Sequence, residues 1–254
     1  MLFDFFNCPV INHAFVYFVN AVMRYLLFIL FCVLQLACKK NDLPTTPYTG
    51  PTNTGPLRTW LALGDSYTFG QSVTASDRFA AQTATLLKQL GINIGEPDYI
   101  AATGFTTNNL ATAIATQNPR NHDVVSLLIG VNDQYQTHDT TGYRQRFASL
   151  LNNAIQLANG KNTHVFVLSI PDYSVTPFAA GTDTAQIRRE IDQFNVINRQ
   201  VTESFAVAYL DITPGTRLAK TNPALLAPDG LHPSRQEYKN WADRLAPMML
   251  PVLK

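Results

Sequence analysis

Two short stretches of this sequence hold side chains whose types and spacing suit chemistry. The first is Trp60–Gly70, read as W-L-A-L-G-D-S-Y-T-F-G. An apolar run breaks at Gly64, and Ser66 follows two residues later. A serine on a sharp turn past a strand end is held away from the core with its hydroxyl exposed. Backbone N–H groups opening a following helix point toward any anion forming beside it. Ser66 is therefore a candidate nucleophile. The same residues also suit an ordinary βα turn, in which Asp65 or Ser66 caps a helix.

The second stretch is Asp229-Gly230-Leu231-His232-Pro233. In a tight turn this spacing lets the Asp229 carboxylate accept from the imidazole Nδ1–H, which leaves Nε2 free as a base. A turn in which Asp229 only caps the last helix has the same local sequence. The other histidines of the body are His122, His138 and His164. His122 is expected at the surface, and His138 and His164 in surface or capping roles. Negative charge developing on an attacked carbonyl needs preorganised donors. The Ser66 N–H, the Gly104 N–H and the Asn132 side-chain amide form the available set. Gly104 suits a backbone that approaches a ligand closely, and Asn132 donates without carrying charge.

These residues depend on the elements that carry them. Short apolar runs at Trp60–Leu63, Asp98–Ala102, Asp123–Ile129, His164–Ile170 and Val207–Ile212 read as strands. Between and after them, helical spacing predicts helices over about 80–90, 108–116, 141–158, 184–205 and 234–246. The alternation predicts a three-layer α/β/α sandwich around a mainly parallel five-stranded sheet. Ligands of such sheets bind beyond the carboxyl ends of the strands. The turns carrying Ser66, Gly104 and Asn132 each follow a predicted strand, so one end of the sheet collects them.

Composition narrows the class. Of 254 residues, 46% are hydrophobic and 15% charged, which suits a globular body. The net charge of +1, without a basic stripe, excludes a nucleic-acid partner. Cys8, Cys32 and Cys38 all precede the body, which therefore has no thiol for a disulfide, a thiolate metal site or a cysteine nucleophile.

Tyr25–Ala37 is an apolar run of 13 residues, the length of a signal-peptide core and short for a membrane span. Met23-Arg24 before it is a natural start, so residues 1–22 are expected to be an over-extended gene start. Leu36-Ala37-Cys38 resembles the lipobox of bacterial lipoproteins, with Gln35 where an aliphatic residue is usual. The rival is a signal anchor joining Ala14–Val22 to Tyr25–Ala37, across which Arg24 costs a few kcal/mol. Residues 1–37 are read as a signal peptide. Residues 38–57 are read as a lipidated Cys38 followed by a Pro- and Thr-rich tether, and 58–254 as the folded domain. This predicts a membrane-anchored lipoprotein of the bacterial cell envelope.

Four blocks together resemble the SGNH, or GDSL-type, hydrolase family. They are Gly64-Asp65-Ser66-Tyr67, Thr103-Gly104-Phe105-Thr106-Thr107, Gly130-Val131-Asn132-Asp133 and Asp229-Gly230-Leu231-His232-Pro233, in the family's order. Tyr67 stands where the family's name has leucine. The resemblance implies a flavodoxin-like sandwich with Ser66 as nucleophile, His232 as base and Asp229 as its orienting partner. It implies an oxyanion hole of Ser66, Gly104 and Asn132, and no metal or organic cofactor.

The reaction this implies is hydrolysis of a carboxylic ester through an acyl-enzyme. Tyr67, Phe69 and Tyr173, with Tyr135 and Phe178, lie in or near the predicted loops and are candidates to line an acyl or sugar pocket. No long apolar lid is evident, which favours short acyl groups, including acetyl on carbohydrate. The alternatives are a lysophospholipase or thioesterase, an acyltransferase, and a silent glycan-binding module. A small-molecule or polysaccharide ester is the expected partner, and a monomer the expected state.

Overall fold

The computed structural model describes residues 55–254. The readings made for the signal peptide, for the start at Met23, for Cys38 and for nearly all of the tether lie outside them. Strand β1 (Trp60–Gly64) leads into a one-turn helix α1 (Ser66–Phe69), a 3-10 turn and helix α2 (Phe79–Gln89). Then come β2 (Asp98–Ala101), α3 (Thr107–Gln117), β3 (Val124–Leu128), α4 (Val131–Thr137) and α5 (Tyr143–Leu157). The chain continues through β4 (Val165–Leu168), α6 (Thr184–Ser204), β5 (Ala208–Leu210) and the short α7 (Thr213–Thr216) to α8 (Arg235–Leu253).

The five strands pair in the order β2-β1-β3-β4-β5, every pairing parallel. β1, β3 and β4 are buried along their whole length, which is why they read as continuous apolar runs rather than alternating ones. Helices α2 and α8 pack together on one face, and α5 packs against α3 and α6 on the other. Right-handed crossovers impose that division: the chain leaves β1 in one direction for β2, then returns past it to β3, β4 and β5. The gap between the carboxyl ends of β1 and β3 is the switch point at which such sheets bind ligands.

The core between the sheet and the α2–α8 layer is aromatic. Phe79 stands 6.4 Å from Trp60, 6.0 Å from Trp241 and 6.3 Å from Tyr238, centroid to centroid. The Trp60 indole N–H donates to Ser126 Oγ, and the Trp241 indole N–H to Glu237 Oε1. The polar edges of these large rings are thus satisfied inside the core.

Two elements depart from the sequence reading. The region around Asn132, to which the sequence reading assigns no element, forms helix α4. Its sequence V-N-D-Q-Y-Q-T has no apolar stripe, but Asp133 and Gln134 are buried and bonded to other elements. Helix α8 continues past Ala246 through Pro247 and Pro251 to Leu253. Each proline removes one helical hydrogen bond, yet Met249 and Leu253 are buried beyond Pro247, and that packing keeps the helix going. Among the described residues no helix is long and apolar enough to cross a membrane.

Candidate active site

The nucleophile turn is built by close packing. A Cβ on Gly64 would overlap both Thr68 Oγ1 and the Leu128 carbonyl oxygen, so only glycine lets α1 fold back against β3. Asp65 then caps α1, accepting from the Tyr67 N–H at 2.9 Å. Gly70 closes the turn in the left-handed conformation, with its N–H bonded to the Ser66 carbonyl. The Tyr238 hydroxyl on α8 donates to the Tyr67 carbonyl at 2.9 Å, fastening the turn to the last helix.

Ser66 Oγ lies 2.9 Å from His232 Nε2, and His232 Nδ1 lies 2.7 Å from Asp229 Oδ2. Asp229 Oδ1 accepts from the N–H groups of Leu231 and His232, both at 3.0 Å. The carboxylate therefore shapes its own turn and orients the ring. The Tyr67 ring packs on the His232 ring at 4.9 Å between centroids. Partial burial pushes Asp229 upward, but the hydrogen bonds from the Ser72 hydroxyl, the His232 ring and the two N–H groups outweigh it. They hold the carboxyl at about 2. Asp229 is thus ionised throughout the neutral range.

Asp65 behaves oppositely. Burial raises its pKa to about 8 against the Tyr67 N–H bond, with the Asp133 charge adding to the rise. Its second oxygen has no partner among the described residues. Near neutral pH it is an uncharged acid, so the turn behind Ser66 carries no charge opposing an oxyanion.

Ser66, Tyr67, Gly104, Asn132, Tyr173 and His232 line one cavity of about 130 Å3. The Asn132 amide donates to the Phe105 carbonyl at 3.0 Å, which ties α4 to the loop carrying Gly104. Asp133 strengthens that tie, accepting from the Thr107 N–H at 2.8 Å and from the Thr107 hydroxyl at 2.5 Å. Arg146 stands 3.4 Å from the same carboxylate. Gly104 has a φ of +82°, a backbone handedness that favours glycine, and a Cβ there would meet no protein atom within 4 Å.

The structure brings Ser66, Asp229, His232, Gly104 and Asn132 together with Tyr67 and Tyr173. Tyr135 and Phe178 join Tyr173 at the cavity in a triangle of rings 6.0–6.2 Å apart. Burial raises the Tyr173 hydroxyl to about 12, so it stays neutral. Phe69 is not part of the cavity wall: its ring sits under the Arg78 guanidinium at 4.8 Å, on the outer side of α1. Thr103, Val131 and Leu231 also line the cavity, and nothing in their types marked them.

His122 is not at the surface as expected. Its ring is buried and its Nε2 lies 2.9 Å from Asp98 Oδ2, at the opposite, amino end of the strands. His164 is at that end too, with Nδ1 at 2.7 Å from the Asp123 carbonyl. His138 is exposed, closes α4 and pairs with Glu190 at 2.8 Å. Among the described residues no group of three or more histidine, cysteine, aspartate and glutamate side chains is placed to hold a metal ion.

The chemistry open to this arrangement is acyl transfer. A hydroxyl can pass its proton to Nε2 while attacking a carbonyl whose oxygen points at Gly104 and Asn132.

Comparison with known proteins agrees with this geometry. The model of the GDSL-like lipase/acylhydrolase family matches residues 62–239. No curated protein matches the chain in sequence. Among solved structures, the chain is similar to a lipase/acylhydrolase from Enterococcus faecalis, with TM-score 0.58 and 18% identity over 78% of this chain and 97% of the other. It is also similar to the acetylxylan esterase Axe2 from Geobacillus stearothermophilus, with TM-score 0.52 and 22% identity over 77% and 94%. A third is the acetyl xylan esterase AlAXEase, with TM-score 0.56 and 18% identity over 74% and 97%. At these identities the likeness is one of fold. The family match, by contrast, runs through the nucleophile turn, the Gly104 loop, the Asn132 helix and His232, and on that ground the chain belongs to the GDSL-like lipase/acylhydrolase family and is an ester hydrolase.

Proposed function

We propose that the protein is a serine esterase that removes short acyl groups, acetyl on carbohydrate foremost, through an acyl-enzyme. The observation that carries this reading is the unbroken chain from Ser66 Oγ through His232 to Asp229, opening into a cavity shared with Gly104 and Asn132. Ser66 Oγ attacks the ester carbonyl as its proton moves to His232 Nε2. The Ser66 and Gly104 N–H groups and the Asn132 amide receive the oxyanion. The tetrahedral adduct collapses by breaking the bond to the alcohol oxygen, which takes the proton from Nε2. Water then attacks the acyl carbon and gives a proton to Nε2, which returns it to Ser66 Oγ as the acid leaves.

Cavity size supports a small acyl group. A space of about 130 Å3, lined in part by Tyr173 and Leu231, suits an acetyl or similarly short chain better than a fatty acyl chain. Tyr135 and Phe178 are about half exposed at its edge and offer flat apolar faces to a sugar ring. Two of the similar structures are acetyl xylan esterases.

A fluorophosphonate probe tests the nucleophile: the full-length chain should be labelled, and the Ser66→Ala chain should not. A panel of nitrophenyl esters of rising chain length, with acetylated xylo-oligosaccharides, tests the acyl preference. Faster turnover of long-chain esters than of acetate would overturn the short-acyl reading. We further propose that Cys38 is lipidated and anchors the protein in the bacterial envelope, which the sequence pattern supports. Any peptide containing part of residues 1–22 in the native protein would refute the start at Met23, and an unmodified Cys38 preceded by Ala37 would refute the lipid anchor.

A further inference from the structure

The acid of the serine–histidine–aspartate chain is also held from the outside. Ser72 lies six positions beyond Ser66, in the loop that follows α1. Its Oγ donates to Asp229 Oδ2 at 2.6 Å, the same oxygen that His232 Nδ1 meets at 2.7 Å. Its φ is +66°, a left-handed conformation that a non-glycine residue seldom adopts without cause. Nothing about the loop's length requires serine there, and glycine would hold the same backbone more easily.

The loop around Ser72 is stitched to the site at several points. The Gln71 N–H donates to the Ser66 carbonyl at 3.0 Å, and Gln71 Oε1 accepts from the Thr103 hydroxyl beside Gly104 at 2.7 Å. One short segment thus touches the serine turn, the Gly104 loop and the acid. Asp229 needs such support because its side chain is 28% exposed. Two backbone N–H groups fix Oδ1, whereas Oδ2 has the ring and the Ser72 hydroxyl alone among the described residues. Without the Ser72 hydroxyl that oxygen would have the ring alone and be open to competition from water, and swings of it would turn the imidazole.

We propose that Ser72 is a positioning residue. Its hydroxyl clamps Asp229 Oδ2 in line with His232 Nδ1, which keeps Nε2 aimed at Ser66, and the strained backbone is retained to deliver that hydroxyl. This inference rests on the serine-esterase reading above.

Two substitutions separate the hydroxyl from the backbone. Ser72→Gly removes the hydroxyl and relieves the left-handed strain. Ser72→Thr keeps the hydroxyl and adds a branched Cβ that this φ disfavours. In the full-length chain, with nitrophenyl acetate, Ser72→Gly should melt within a few degrees of the parent, because relief of the backbone strain offsets the lost bond. Its kcat should fall on the order of tenfold, the scale for a hydrogen bond to a charged group, with KM within about twofold. Ser72→Thr should melt lower yet turn over near the parent rate. Parent kcat in Ser72→Gly, or equal slowing in both variants, would overturn the proposal. Ser66→Ala is assayed in parallel. If it still hydrolyses the ester, the serine reading fails and this inference with it. An inert Ser66→Ala beside a fully active Ser72→Gly sinks the role of Ser72 alone.

Discussion

The Asn132 amide donates to the Phe105 carbonyl at 3.0 Å, so the first turn of α4 and the loop ahead of α3 fix each other beside the cavity. One amide hydrogen is spent on that contact and the other is free to face the cavity, which Asn132 lines. Asn132→Ala should therefore lower kcat on the order of a hundredfold or more while the protein stays folded. Turnover of nitrophenyl acetate at the parent rate would remove Asn132 from the set of donors.

Gly64 should tolerate no side chain. In Gly64→Ala the new methyl meets the Leu128 carbonyl, which belongs to a central strand and cannot move aside. Overpacking of this kind costs roughly 1–3 kcal/mol. A thermal melt should show the loss, and activity should fall with it because Ser66 stands two residues away. An unchanged melting temperature would mean that α1 can lift off β3.

Asp65 gives stability a particular pH dependence. Its carboxyl titrates near 3.8 in the unfolded chain and at about 8 in the folded protein. The folded state therefore holds the extra proton between those values, and stability falls as pH rises through them, by at most about 1.4 kcal/mol per unit. Asp65→Asn keeps the cap on α1 without the titration. Its melting temperature relative to the parent should be higher at about pH 8 than at about pH 5. A difference that stays constant across that range would mean the acid is not buried uncharged.

Tyr143 reports on the other face of the sheet. Its hydroxyl is fully buried, 2.7 Å from Asn198 Oδ1 and 3.1 Å from the Ile129 carbonyl. Tyr143→Phe strands a buried acceptor and should cost about 1–3 kcal/mol. That appears as a melt several degrees lower with KM unchanged. An unaltered melt would show that Asn198 finds another donor.

The sheet was readable because burial on both faces leaves β1, β3 and β4 as uninterrupted apolar runs, and because α2, α5 and α6 repeat apolar residues at helical spacing. Helix α4 escaped because what holds it is polar: the buried Asp133 and Gln134 look, in one dimension, like surface residues. Proline at 247 signalled a stop that Met249 and Leu253 override by packing. The four sequence blocks announced Ser66, Gly104, Asn132 and His232 as a set. Phe69 falls outside the cavity lining, since proximity in sequence does not say on which side of a single helical turn a ring falls. His122 was misjudged because its place, buried with Nε2 paired to Asp98 24 positions away, is set by the fold and not by its neighbours in sequence. Ser72 had no signal at all, since its handed backbone and its reach to Asp229 across 157 positions exist only in three dimensions.

The contact from Tyr238 to the Tyr67 carbonyl sets an order of events during synthesis. His232 follows Ser66 by 166 positions, and until it and the helix after it are made and docked the nucleophile turn lacks both its base and its fastening. A nascent chain therefore carries a serine but no esterase, and a fragment clipped ahead of His232 stays inert however well the remaining strands hold together.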